Sequence, residues 1–311
     1  MEYGAHLPLI EFDGRPRTLA AICQYARRAA ALGFRFLCAN DHLLFERPWL
    51  DGPTALAAAL EASGEMKIAT TVALPVVRGP VQTAKVLASL DVLSDGRLVA
   101  GVGPGSSLRD YAAAGVAFAE RWARFDEAVR ALRALLRRDA PSFSGAFYST
   151  EGITLEPPPP RPDGPPIWIA SWGSAAGMRR VAELGDGWLA SGYNTTPAAF
   201  AEKLAALSER LDAAGRPANA FPHGVATMWL YVTGRRREAE RMLADVLAPA
   251  LKRPVDVLRA LALPVGSPEQ CAERLGAYAE AGVQRVFVWP LGDDLHQLEA
   301  FREEVVPLIR S

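Results

Sequence analysis

The feature that most constrains this chain is a recurrence. Eight short apolar runs, at 3–9, 34–39, 67–74, 98–102, 167–170, 187–190, 226–232 and 285–289, are each followed by a stretch with helical spacing. Ile22, Ala26, Ala29 and Ala30 share one face of a helix expected over about 17–32. Val81, Ala84, Leu87 and Ala88 do the same after Pro80, and Trp122, Phe125, Val129, Leu132 and Leu136 carry the rhythm through a longer helix. Phe200, Leu204, Leu207 and Leu211, then Leu298, Phe301, Val305 and Leu308, mark later helices. Strand–helix alternation builds parallel sheets whose crossovers keep one hand. Eight such repeats favour closure over an open doubly wound sheet. The expected fold is α/β, a single (β/α)8 TIM barrel over residues 1–311, with insertions at about 43–52 and 139–166. The second insertion breaks the rhythm with Pro157–Pro160 and Pro165-Pro166, which favour an extended polyproline path beside a small hairpin.

Composition narrows the function classes. With 50% hydrophobic residues the chain has ample material for a large core, and a formal charge of −1 advertises neither nucleic acid nor a solvating tail. Cys23, Cys38 and Cys271 are far apart and odd in number, so neither a disulfide framework nor a zinc knuckle is expected. Met1-Glu2-Tyr3-Gly4 lacks the pattern of a signal peptide, and no apolar run approaches a membrane span. A cytoplasmic protein without membrane or nucleic-acid partners is expected.

In barrels of this kind chemistry sits at the C-terminal ends of the strands. Polar or small residues stand at several of them: Asp41-His42 after the second, Thr70-Thr71 in the third, Gly103-Pro104-Gly105-Ser106-Ser107 after the fourth, and Ser171-Trp172-Gly173-Ser174 after the fifth. Gly103, Gly105 and Ser106 offer backbone N–H groups with little bulk. No third glycine completes a dinucleotide fingerprint. His42 has no second histidine at metal-ligand spacing and no G-x-S-x-G elbow accompanies it, so it reads either as a loop residue or as a proton carrier facing a ligand. Ser171–Ser174 opens a helix beginning near Ala175, where free N–H groups and the helix dipole favour an anion.

The run from Arg78 to Gly105 is the most specific stretch: R-x-P, then A-K, L-D-x-L-S-x-G-R and G-x-G-x-G. Together with Asp41-His42 and the later Gly185-Asp186-Gly187-Trp188 it resembles the bacterial luciferase-like superfamily of FMN-dependent monooxygenases and coenzyme F420-dependent oxidoreductases. The resemblance implies that Asp41 and His42 face a deazaflavin ring, with His42 the proton donor or acceptor. It points to Thr71–Val72 as a cis peptide against the ring's face, where an ordinary trans strand is the default. It implies that Gly103, Gly105 and Ser106, with Ser171, Trp172, Gly173 and Ser174, hold the rest of the cofactor, the latter loop its phosphate. Asp186 is read as a strand-start residue, and Glu120-Arg121-Trp122 as an ion pair or a substrate wall. Ser106 stands where the family's sugar-phosphate dehydrogenases carry a glutamate, and no asparagine occupies the fourth strand as in many FMN monooxygenases.

The favoured function is F420-dependent hydride transfer to or from a small organic substrate. The alternatives are an FMN-dependent monooxygenase fed by a separate flavin reductase, and a non-catalytic flavin-binding protein. Phe45, Trp49 and Trp172 read either as an aromatic mouth to a pocket or as packing residues, and members of the family are often dimers through the barrel's outer helices, so a homodimer is expected.

Overall fold

A computed structural model describes residues 1–12, 14 and 17–309. Eight parallel strands form a closed ring: β1 (Glu2–His6), β2 (Phe36–Ala39), β3 (Lys67–Ala73), β4 (Leu98–Val102), β5 (Ile167–Ala170), β6 (Gly187–Ser191), β7 (His223–Val232) and β9 (Arg285–Pro290). Each pairs with its sequence neighbour, and β9 closes the ring between β7 and β1. A two-residue strand, β8 (Val265–Gly266), adds to the outer end of β7. The expected barrel is the observed one.

Side-chain alternation explains the two layers of core. Phe36, Cys38, Ala69, Val99, Trp168, Leu189, Ala226 and Phe287 form one buried cluster contributed by seven of the strands. Their neighbours Leu37, Ile68, Leu98, Ala100, Ile167 and Ile169 belong to a second cluster shared with the helices. Successive residues of a strand face opposite sides, so the first set fills the barrel and the second carries the helical ring. Large and small residues alternate inside: a Cβ on Gly4 would lie 2.5 Å from Phe287 Cδ1, and one on Gly187 2.6 Å from Trp168.

The main helices are α1 (Leu19–Ala31), α2 (Gly52–Ala59), the single turn α3 (Pro75–Arg78), α4 (Pro80–Leu93), α5 (Leu108–Ala113), α6 (Arg121–Leu136), α7 (Ala175–Leu184) and α8 (Pro197–Ala213). Later ones are α9 (Arg236–Arg241), α10 (Ala248–Leu251), α11 (Val255–Ala260), α12 (Pro268–Glu280) and α13 (Asp294–Ala300). Pro80 occupies the first turn of α4 as its missing N–H allows. No helix among the described residues is long and apolar enough to cross a membrane.

Boundaries differ from the sequence expectation where a backbone donor is missing or a neighbour intervenes. β1 ends at His6 rather than residue 9, because Pro8 has no N–H for the ladder. β7 begins three residues early, since His223 still pairs with Trp188. The helix expected over about 235–248 is split: α9 leads into a π segment, Met242–Leu247, before α10. Pro249, within α10, has no N–H to close an ordinary turn onto Asp245. In the 139–166 insertion the hairpin contracts to one antiparallel bridge, Ser144–Ser149. There Glu127 accepts the N–H groups of Ala146 and Phe147 at 2.9 and 2.8 Å.

Gly101 tests the interior packing most sharply, because a Cβ there would lie 2.1 Å from the Thr70 carbonyl and 2.7 Å from Leu189 Cδ1. Gly101→Ala is expected to lower stability by about 3 kcal/mol, read by urea denaturation. An unchanged midpoint would mean that β3 and β4 separate freely.

Candidate active site

Because all eight strands run the same way, the segments after β2, β3, β4 and β5 open on one face. They surround a cavity of about 510 Å³. Ten of the residues singled out from sequence line it: Asp41, His42, Thr71, Val72, Gly103, Gly105, Ser106, Ser171, Trp172 and Ser174. Gly173 is not in the lining. It turns its loop at φ +92°, and a Cβ on it would lie 2.7 Å from Lys203 Cγ.

His42 is held by a residue that sequence reasoning missed. Ser107 caps α5 by accepting the Asp110 N–H at 3.2 Å, which places Asp110 in the first helical turn. The Asp110 carboxylate is buried; Oδ1 accepts the Leu44 N–H at 2.8 Å and Oδ2 the His42 Nδ1–H at 2.7 Å. A carboxylate at Nδ1 requires the proton on that nitrogen and leaves Nε2 to exchange one. The signal in the sequence was the S-x-x-D spacing directly after the glycine loop. Of the two readings of Trp49 and Phe45, mouth or packing, the second holds: they pack behind His42, with ring centroids 4.8 and 5.4 Å from the imidazole. Backbone bonds from Leu50 to Leu9 and from Glu11 to Pro48 strap their loop across the exit of β1, which explains the inward turn.

Asp41 lines the cavity with its charge already answered. Both its oxygens accept from Arg78, at 2.7 and 2.6 Å, and Arg78 also pairs with Asp51 at the cap of α2. The Arg78 of the R-x-P motif thus locks the β2 exit to α3 and α2. Next to it Asn40, also missed from sequence, accepts Thr71 Oγ1–H at 2.9 Å and donates to Thr227 Oγ1 at 3.3 Å. The Asn40 N–H donates to His6 Nε2 at 2.9 Å, while His6 Nδ1–H donates to the Leu7 carbonyl at 2.7 Å. His6 is therefore one fixed neutral tautomer, stacked on Trp289 with centroids 3.4 Å apart.

The Thr71–Val72 peptide is cis, and the β3–β4 register slips between Thr70 and Ala73. Across the cavity, Trp188 stacks on Phe200 and its indole N–H donates to the Ser171 carbonyl at 3.1 Å, fixing the loop that precedes α7. Asp186 accepts the Ile167 N–H and the Arg133 guanidinium at the opposite end of the barrel, so it is a structural residue as expected. Glu120 pairs with Arg124, not Arg121; of the two expectations for that segment, Arg121 and Trp122 form a wall of the cavity. Thr227, a lining residue of β7, has φ +54°, rare for a β-branched side chain, at the register shift between Val225 and Met228. No group able to hold a metal ion occurs among the described residues. Cys38 lies below the cavity with its thiol pushed up to about 12 by burial, and is inert.

A family model described as luciferase-like monooxygenase matches residues 6–285. An F420-dependent glucose-6-phosphate dehydrogenase of Kribbella flavida is 28% identical, the match covering 95% of each chain. A monooxygenase, RslO1, from Streptomyces bottropensis superposes with a TM-score of 0.84 at 22% identity over 99% of each chain. An F420-dependent secondary alcohol dehydrogenase in complex with an F420–acetone adduct also gives 0.84, at 20% identity over 100% of this chain and 99% of that one. At such identities the two structures share the fold with this chain.

Two buried histidines make stability depend on pH. Burial pushes His6 down to about 3; burial and the nearby Arg285 charge push His223 down to about 4. Unfolded, each takes up a proton near pH 6.5. Their contribution is fully present above that value and is lost as pH falls toward 4 and then 3, at roughly 1.4 kcal/mol per pH unit for each ring. Urea titrations at about pH 7 and about pH 5 should show this loss, smaller in His223→Gln. Equal stability at both pH values would place the rings in contact with water.

Proposed function

The chain belongs to the luciferase-like monooxygenase family, and from that premise we propose that it is an F420-dependent oxidoreductase exchanging a hydride with a small organic substrate. The curated relative at 28% identity, named for F420, supports the choice of cofactor. The observation that carries the reading is the His42–Asp110 pair at the cavity, a histidine with one nitrogen fixed on a buried carboxylate and the other left for proton exchange.

The cavity suits a flat ring system. Its volume lies in the range of small-molecule sites. One wall is bare backbone at Gly103, where a Cβ would meet Val72 Cγ2 at 2.8 Å. Val72 and the Asn40–Thr71–Thr227 hydrogen bonds present a rigid, uncharged surface, and Ser171 and Ser174 stand where the N-terminus of α7 meets a phosphate. Bound F420 supplies the carbon that gives or accepts the hydride. The protein supplies position and one proton. When a substrate hydroxyl is oxidised, its proton passes to His42 Nε2, and the Asp110 carboxylate stabilises the imidazolium; in the reverse direction His42 returns it. Asp41 and Arg78 hold the backbone from which His42 projects.

Paired titrations of the protein with F420 and FMN test the cofactor. F420 is expected to bind more tightly, and tighter FMN binding would redirect the assignment to oxygen chemistry with a separate reductase. His42→Ala is expected to keep F420 affinity while slowing F420 reduction by secondary alcohols, or its oxidation by enones and ketones, by about 100-fold or more. Asp110→Asn should slow the same reaction by about tenfold or more. Undiminished turnover in His42→Ala would remove the proton role.

A further inference from the structure

Three of the residues lining the cavity are acidic or basic: Asp41, His42 and Arg121. The first two are answered from within the protein, Asp41 by Arg78 and His42 by Asp110. Arg121 is not. Among the described residues it meets no carboxylate, although nearby Arg124 pairs with Glu120 and Arg180 with Asp126. Its guanidinium lies over the Phe118 ring, 4.1 Å from the centroid, and 5.5 Å from that of Trp122, and its Nη1 donates to the Phe118 carbonyl at 3.0 Å. A guanidinium set over aromatic rings and without a carboxylate partner has in-plane donors to spare, which match a carboxylate or phosphate two at a time. At the same rim stand two exposed indoles, Trp172, 58% exposed, and Trp122, 39% exposed with the Arg180 guanidinium over its ring at 4.7 Å.

We propose that Arg121 anchors a negatively charged group, a carboxylate or a phosphate, on the molecule that occupies this cavity, with the flat apolar part of that molecule against Trp122 and Trp172. The anion has two possible sources, the cofactor or the substrate. The inference deepens the F420 reading and rests on it for the first source only. In both cases a cation fixed in an apolar frame selects a charged ligand over its neutral analogue, because a neutral group would leave the donors without an acceptor.

Calorimetric titrations of the wild-type chain, Arg121→Gln and Arg121→Lys separate these cases. The ligands are F420, its deazaflavin core without the phosphate and carboxylates, and benzoate or inorganic phosphate added to the core-loaded protein. Arg121→Gln is expected to weaken a ligand bearing the phosphate or carboxylate by about tenfold or more while binding the core within about twofold of wild type, with Arg121→Lys in between. A loss confined to F420 assigns the anion to the cofactor; a loss confined to benzoate or phosphate assigns it to the substrate. The proposal is overturned if wild type and Arg121→Gln bind F420 alike and also bind the small anions alike or not at all. It is equally overturned if the core, which lacks the phosphate and carboxylates, weakens as much as F420, which would make Arg121 a packing residue. Wild type that binds neither F420 nor its core fails the cofactor reading instead, and the benzoate and phosphate titrations of the free protein then decide Arg121 alone.

Discussion

Everything at the functional end of this molecule follows from closing a parallel sheet. A closed ring leaves no edge, so the backbone donors and acceptors of β1 and β9 find each other instead of a second chain. A parallel ring also delivers every strand's C-terminal end to the same face. Residues as distant in sequence as Asn40, Thr71, Ser171 and Thr227 become walls of one cavity without any long loop to carry them there. The interior makes closure possible by setting large rings against missing side chains, Phe287 beside Gly4 and Trp168 beside Gly187.

The site itself is organised by how buried charge is neutralised. A carboxylate taken from water must be matched by a donor or a countercharge. Asp41 is matched twice by Arg78, and Asp110 by a backbone N–H and the His42 ring. These pairings confer shape as well as stability: one locks the β2 exit to the neighbouring helices, the other sets which histidine nitrogen faces the cavity. Arg121 departs from the pattern because its partners are aromatic faces rather than anions. Of the three, it alone keeps a charge to offer a ligand.

Much of this was legible in the chain. The eight apolar runs, the glycine loop, Asp41-His42 and Ser171–Ser174 sit where the alternation put them, and ten of the eleven residues singled out line the cavity. Gly173 is the exception, because a loop's inward and outward faces depend on a local φ, here +92°, that a glycine permits without declaring. Phe45 and Trp49 stayed ambiguous because an aromatic in a loop serves a mouth or a core equally well until the strap across β1 decides. Asp110, Asn40 and Thr227 passed unremarked because each looks ordinary among its sequence neighbours. Asp110 is one of many acidic residues, and its importance lies in a contact 68 positions away.

The sequence by itself determined the barrel and the face on which the chemistry lies, because apolar periodicity and chain direction are local properties that accumulate into a fold. Only the tertiary structure decided which nitrogen of His42 is free, which carboxylate holds it, and which arginine is left without an anion. Those are matters of distance between segments remote along the chain, set at the level of an ångström by packing that no single stretch contains.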